Sequence, residues 1–107
     1  MRWYNYLYVG EKADRTSEDI IEKIKNGKMQ LNKYALTLPF NDSDVLDIIP
    51  TIVLMQKRYL NSDIVIVGIA DGKSEAMDLM EEIIMECYNE TKGFDLKSYI
   101  LEGGVSS

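Results

Sequence analysis

Residues 67–79, VGIADGKSEAMDL, carry the spacing that comes nearest to a chemical motif. A glycine is followed three residues later by Gly-Lys-Ser, where an apolar run gives way to a helical pattern. A nucleoside-triphosphate loop needs four residues in that interval, because its length wraps backbone N–H groups round the β-phosphate while the lysine reaches the outer phosphates. Gly68 stands one residue too close to Gly72-Lys73-Ser74, and Val67 occupies the place of the first glycine. The plain reading is a strand-to-helix turn in which Gly68 permits close packing, Gly72 turns the chain, and Asp71 or Ser74 caps the helix. The same turn also presents free N–H groups at a positive helix end beside Lys73, which suits a small anion such as a phosphate or carboxylate.

The remaining chemistry-bearing residues are few. Histidine is absent, which removes the usual general base of neutral pH, and the one cysteine, Cys87, falls on the apolar stripe of a helix, where a thiol is inert packing. One cysteine forms no intrachain disulfide and no thiolate metal cluster. Glu11 and Asp71 are candidate acids or bases, yet no spacing marks a carboxylate pair. No catalytic residue, cofactor or metal centre is assigned. Asn41, Asp42 and Ser43 add at most a weak site for a hard cation.

The elements that must position these residues follow from hydrophobic period. Trp3 to Val9 is aromatic and branched, with Tyr4, Tyr6 and Tyr8 on one side and Trp3, Leu7 and Val9 on the other, as in a strand buried on both faces. RTSEDIIEKIKNGK reads as a short amphipathic helix with Thr16 or Ser17 as N-cap and Gly27 as stop. Tyr34 to Leu38 is a second strand. A second helix is expected from the NDSD cluster at 41–44 to about Leu60, with Pro50 kinking it or opening a fresh helical piece. Ile64 to Ala70, IVIVGIA, is a continuous apolar run of strand length and the best candidate for the sheet centre. The helix after it aligns Ala76, Leu79, Met80, Ile83, Ile84 and Cys87, and Lys92-Gly93 closes it. LKSYIL, Leu96 to Leu101, reads as a fourth strand, before a tail, EGGVSS, expected to be mobile.

This βαβαβαβ order predicts an α/β three-layer sandwich: a single domain over 1–101 with a four-stranded parallel sheet of order 2-1-3-4 and three helices. The strand order is a preference that the sequence does not prove. A ligand crevice is then expected where the turns after the first and third strands meet, at Gly10 to Thr16 and Ala70 to Ser74. Gly10, Gly68, Gly72, Lys73 and Ser74 are the candidate anion-binding residues. The first of these turns is long and charged, either a lid or simply a solvated loop.

Eighteen acidic residues against twelve basic ones give a net charge of −6, and the resulting field repels phosphate backbones and anionic membranes. No nucleic acid or membrane partner is expected, and without an export signal or an apolar span the expected location is cytoplasmic. The wide apolar arc of the second helix exceeds what one sheet face needs. Leu46, Val53 and Leu54 are therefore the candidate interface of a homodimer, unless a kink at Pro50 turns the whole arc inward. The whole chain, and especially residues 54–84, LMQKRYLNSDIVIVGIADGKSEAMDLMEEII, resembles small bacterial α/β proteins of about this length without an assigned function. That resemblance implies a stand-alone cytoplasmic protein and transfers no site residue. The expected function is a non-catalytic binding or regulatory module; the alternative is a small enzyme acting on a phosphorylated or carboxylated substrate at the glycine turns.

Overall fold

A computed structural model of the chain describes residues 1–39 and 45–107. Strand β1 (Arg2–Val9) leads through Gly10 and a short 3-10 turn (Ala13–Thr16) into helix α1 (Ser17–Lys25). Strands β2 (Lys33–Thr37) and β3 (Asp47–Pro50) follow, then two single-turn helices, α2 (Thr51–Leu54) and α3 (Lys57–Leu60). Strand β4 (Val65–Asp71) runs into the long helix α4 (Lys73–Thr91), and the chain ends in helix α5 (Leu96–Gly103) and a short strand β5 (Val105–Ser106).

The sheet corrects the expected parallel one. Its five strands lie in the order β3-β2-β4-β1-β5, and β1 with β4 is the parallel pair; β2 runs antiparallel to both β3 and β4, and β5 antiparallel to β1. The order 2-1-3-4 fails because β2 pairs with β4, not with β1. Consecutive β2 and β3 form an antiparallel pair where a helical crossover was expected.

Three local misreadings account for the difference. Residues 47–50 form an edge strand, not part of a helix. Pro50 has no N–H to donate, and among the described residues β3 pairs with β2 alone, so the proline is tolerated at the sheet margin and starts α2 from there. The half-circle of apolar residues is strand alternation: Leu46 and Ile48 join the core under α4, while Ile49 and Leu54 join the core under α1. LKSYIL is helical because the Asp95 side chain accepts from the Ser98 N–H as an N-cap, and Leu96 and Ile100 then share the buried side one turn apart. The tail is tied to the sheet through Trp3 and Ser106, Tyr4 and Val105, and a hydrogen bond from Asn5 N to Gly104 O of 2.9 Å. The expected caps at 41–44 lie outside the described residues.

Helices cover both faces. On one face Tyr4, Leu36, Val65 and Val67 pack with Leu79, Ile83 and Cys87 of α4 and Ile100 of α5; on the other Ala35, Ile66 and Ile69 pack with Ile20 and Ile24 of α1 and Leu54 of α2. β4 is the middle strand and is buried along almost its whole length. Each of its isoleucines and valines contributes about 1.5–3 kcal/mol of burial, which is why this run anchors the sheet. Among the described residues no helix is long and apolar enough to cross a membrane.

Candidate ligand crevice

Because β1 and β4 are parallel neighbours, the turns that leave their carboxyl ends lie side by side. Gly10 N donates to Ile69 O at 2.9 Å, continuing the pairing past the end of β1, and Asp14 N then closes on Gly10 O at 2.9 Å. On the other side Gly72, at φ 103°, turns the chain from β4 into α4; its N–H goes to Asn32 O at 2.8 Å, and its carbonyl accepts from Ala76 N. Between the two turns opens a crevice of about 850 Å3. Gly10, Glu11, Lys12, Arg15 and Thr16 line one wall, and Asp71, Ser74, Glu75, Asp78, Leu79 and Glu82 the other.

The crevice already contains an anion of the chain's own. Glu75, in the first turn of α4, reaches back over the glycine turn. One carboxylate oxygen accepts from the Lys12 N–H, and the other accepts from Asp71 N at 2.6 Å and from Ala13 N at 3.3 Å. This is a variant of the capping box, in which a glutamate three residues into a helix satisfies a backbone donor at its start. Here the donor at the cap itself is taken by Asn32, so the carboxylate bridges instead to the β1 turn. Gly10 makes room for it: a Cβ there would lie 2.4 Å from the Glu75 carboxyl carbon. Glu75 was not singled out from sequence, although an acid at the third helical position after a glycine turn is the signal that identifies it.

The sequence-derived anion residues are therefore divided. Gly10 and Ser74 line the crevice and Gly72 makes its turn. Gly68 sits inside β4, where a Cβ would press on Leu79 Cδ2 at 3.2 Å, so its role is packing. Lys73 is exposed and is not among the lining residues. Asp71 does not cap the helix; its carboxylate takes the Lys33 ammonium at 3.0 Å in a half-buried ion pair. Of the candidate interface residues, Leu46 and Leu54 are buried in the chain's own core and Val53 is half-buried. Among the described residues no three acidic or cysteine side chains converge to hold a metal ion, and the suggested cation ligands Asn41, Asp42 and Ser43 lie outside them.

The tyrosine stripe is a second polar cluster, behind α4. Tyr4 and Tyr8 stack with centroids 6.0 Å apart, and the Tyr8 and Tyr99 hydroxyls both donate to Glu86 Oε1, at 3.0 and 3.4 Å. Burial, then the hydrogen bonds with Tyr99 and Glu86, push the Tyr8 phenol far above its ordinary range; burial likewise raises Tyr4. Both phenols stay neutral at physiological pH, which suits packing and hydrogen bonding rather than proton transfer. The Cys87 thiol is buried and lies 3.6 Å from Gly93 O. Set against protein-family models, curated proteins and solved structures, the chain matches none.

Proposed function

We propose that the chain is a non-catalytic binding module that holds a small polar ligand in the crevice beyond the carboxyl ends of β1 and β4. The observation that carries this reading is the juxtaposition of the Gly10 and Gly72 turns around that crevice. Parallel strand ends of this kind are where α/β proteins bind their ligands. The non-catalytic choice is supported by a sequence without histidine and by a single thiol that packs in the core. That free thiol suits a reducing, cytoplasmic setting.

The ligand's charge follows from Glu75. An external phosphate or carboxylate has to displace a carboxylate already bonded to three N–H groups. The same obstacle faces the enzyme alternative, whose substrate is an anion. Around Glu75 the lining sets Glu11, Asp71, Asp78 and Glu82 against Lys12 and Arg15. A ligand presenting N–H donors or positive charge suits this wall better than an anion does.

Thermal-shift measurements test the reading with two panels, one of diamines, polyamines and arginine derivatives, the other of phosphate, sugar phosphates and dicarboxylates. A ligand at one hundred times its Kd adds about 2.7 kcal/mol, which at this chain length raises Tm by about 10 °C. The expected result is a shift from the cationic panel that Asp78→Asn with Glu82→Gln abolishes. Stabilisation by anions alone would reverse the assigned charge, and no shift from either panel would remove the crevice as a ligand site.

A further inference from the structure

The charges that line the crevice are sorted by wall. Lys12 and Arg15 come from the turn after β1, while Asp78 and Glu82, one helical turn apart, come from α4 on the other side. The remaining acids of the α4 wall are already engaged. Asp71 holds the Lys33 ammonium, and Glu75 accepts from three backbone N–H groups. Glu11 belongs to the β1 wall, which its two cations leave positive on balance. Asp78 and Glu82 keep the opposite wall negative.

The two sets of charges do not neutralise each other. Among the described residues the ion pairs are Lys23 with Asp19 and Lys33 with Asp71, so neither Lys12 nor Arg15 reaches an acid and neither Asp78 nor Glu82 reaches a cation. Arg15 also borders a smaller hollow beside Asp14, Glu18 and Asp19, and it pairs with none of them. All four side chains are exposed. Leu79, which follows Asp78 on the same side of α4, adds an apolar side chain to the lining. Walls of opposite sign across about 850 Å3, with an apolar side chain among them, suit an occupant that carries one charge of each sign on an apolar spacer.

Resting on the reading of the crevice as a ligand site, we infer that the ligand is a zwitterion: an aminocarboxylate in which a methylene chain separates the ammonium from the carboxylate. The ammonium pairs with Asp78 and Glu82. The carboxylate pairs with Lys12 and with Arg15, whose guanidinium offers a planar fork of N–H donors that matches a carboxylate. The methylenes lie against Leu79. This placement leaves the Glu75 bridge intact, because the anionic end of the ligand takes side-chain cations and not the backbone N–H groups that Glu75 occupies. A diamine sets its second ammonium against Lys12 and Arg15, and a plain carboxylate meets the repulsion of Asp78 and Glu82 without compensation. Only a ligand with both signs satisfies both walls.

Isothermal titration calorimetry in about 10 mM salt, where the screening length is ~30 Å, tests the inference. The probes are γ-aminobutyrate and ε-aminohexanoate, each compared with the amine, the diamine and the carboxylate of the same chain length. The expected result is that an aminocarboxylate binds about tenfold more tightly than all three of its matched compounds. Lys12→Gln with Arg15→Gln lowers its affinity to that of the amine, and Asp78→Asn with Glu82→Gln lowers it to that of the carboxylate. Unchanged melting temperatures without ligand confirm the folds of these surface variants; should one melt early, the ligand comparison on the native chain decides alone. Amines or diamines that bind as tightly as the aminocarboxylates overturn the inference and leave the cationic-ligand reading standing. An aminocarboxylate whose affinity survives Lys12→Gln with Arg15→Gln overturns it as well. If no compound of the series binds, the inference falls, and the crevice falls with it when the thermal-shift panels are also silent.

Discussion

Replacing Glu75 by alanine, with and without Gly10→Ala, isolates the bridge between the two turns. The glutamate satisfies the N–H groups of Lys12, Ala13 and Asp71. Each bond is worth about 1 kcal/mol net, more when the acceptor is charged. Water entering the open crevice replaces part of the loss, leaving an expected cost of about 2 kcal/mol for Glu75→Ala. Glu75→Gln keeps one acceptor oxygen and turns an NH2 towards a backbone donor, so about 1 kcal/mol is lost. Gly10 is not at positive φ, so its backbone tolerates alanine. The added Cβ, however, falls 2.4 Å from Glu75 Cδ and Oε2 and expels the carboxylate from its cradle. Gly10→Ala alone therefore costs about 2 kcal/mol, most of what Glu75→Ala costs. In the Glu75→Ala background the same change is neutral, or stabilising by about 0.5 kcal/mol through the unfolded chain. Urea unfolding followed by circular dichroism reads all four proteins, with a constant m-value as the condition for comparing them. A coupling of about 2 kcal/mol is expected. Additivity within about 0.5 kcal/mol would show that the two residues act independently, and the self-filled cradle would be refuted.

Gly104 lies at φ 94° with Asn5 Nδ2 2.5 Å from the position of a Cβ, so Gly104→Ala strains the backbone by about 1–3 kcal/mol and releases β5; amide exchange at Asn5 should accelerate. The backbone and hydroxyl hydrogen bonds of Ser98 hold the Asp95 carboxyl below its ordinary range. A lowered folded-state pKa contributes stability above the unfolded value of about 3.9 and loses it as pH falls through the folded one. Asp95→Asn should therefore lower Tm at neutral pH and match the native chain in strong acid. Tyr4 and Tyr8 have raised folded-state values, so their contribution is complete below about pH 10 and declines as pH rises beyond it. Phenolate absorbance should then show fewer than the seven tyrosines ionising before the chain unfolds in alkali.

Period and composition made some of this fold legible and concealed the rest for identifiable reasons. The alternation in residues 3–9 separates two faces, with Tyr4 and Tyr8 packed under α4 and Trp3, Leu7 and Val9 under α1, but the strand is not buried throughout as expected: Tyr6, of the same stripe as Tyr4 and Tyr8, is 70% exposed. IVIVGIA is the middle strand because an unbroken apolar run needs cover on both faces. LKSYIL was ambiguous because in six residues Leu96, Tyr99 and Ile100 suit a helical spacing while a strand of that length needs little more than apolar content. Residues 45–60 misled because alternating Leu46, Ile48 and Ile49, followed by one helical turn, imitate a continuous helical arc when summed on a wheel. Strand direction was beyond reach, since β2 pairs with β4 over a long stretch of chain, from Thr37 with Ile66 to Lys33 with Asp71.

The crevice nevertheless stands where a parallel sheet would have put it, and the reason is economical. Bringing the Gly10 and Gly72 turns together requires one parallel pair, β1 with β4, and imposes no direction on β2, β3 or β5. What the parallel premise missed is the content of the site. A strand-to-helix turn rich in free N–H groups attracts negative charge, and the chain supplies that charge from three residues into the following helix. The motif that first suggests an anion site thus contains the residue that fills it: Glu75 follows Gly72-Lys73-Ser74 directly. Its carboxylate ties together two turns more than sixty residues apart, and it leaves the outer wall of the crevice to Asp78 and Glu82. Structural closure and the proposed ligand preference both rest on one side chain, so Glu75→Ala should weaken the fold and also open the cradle to an external anion.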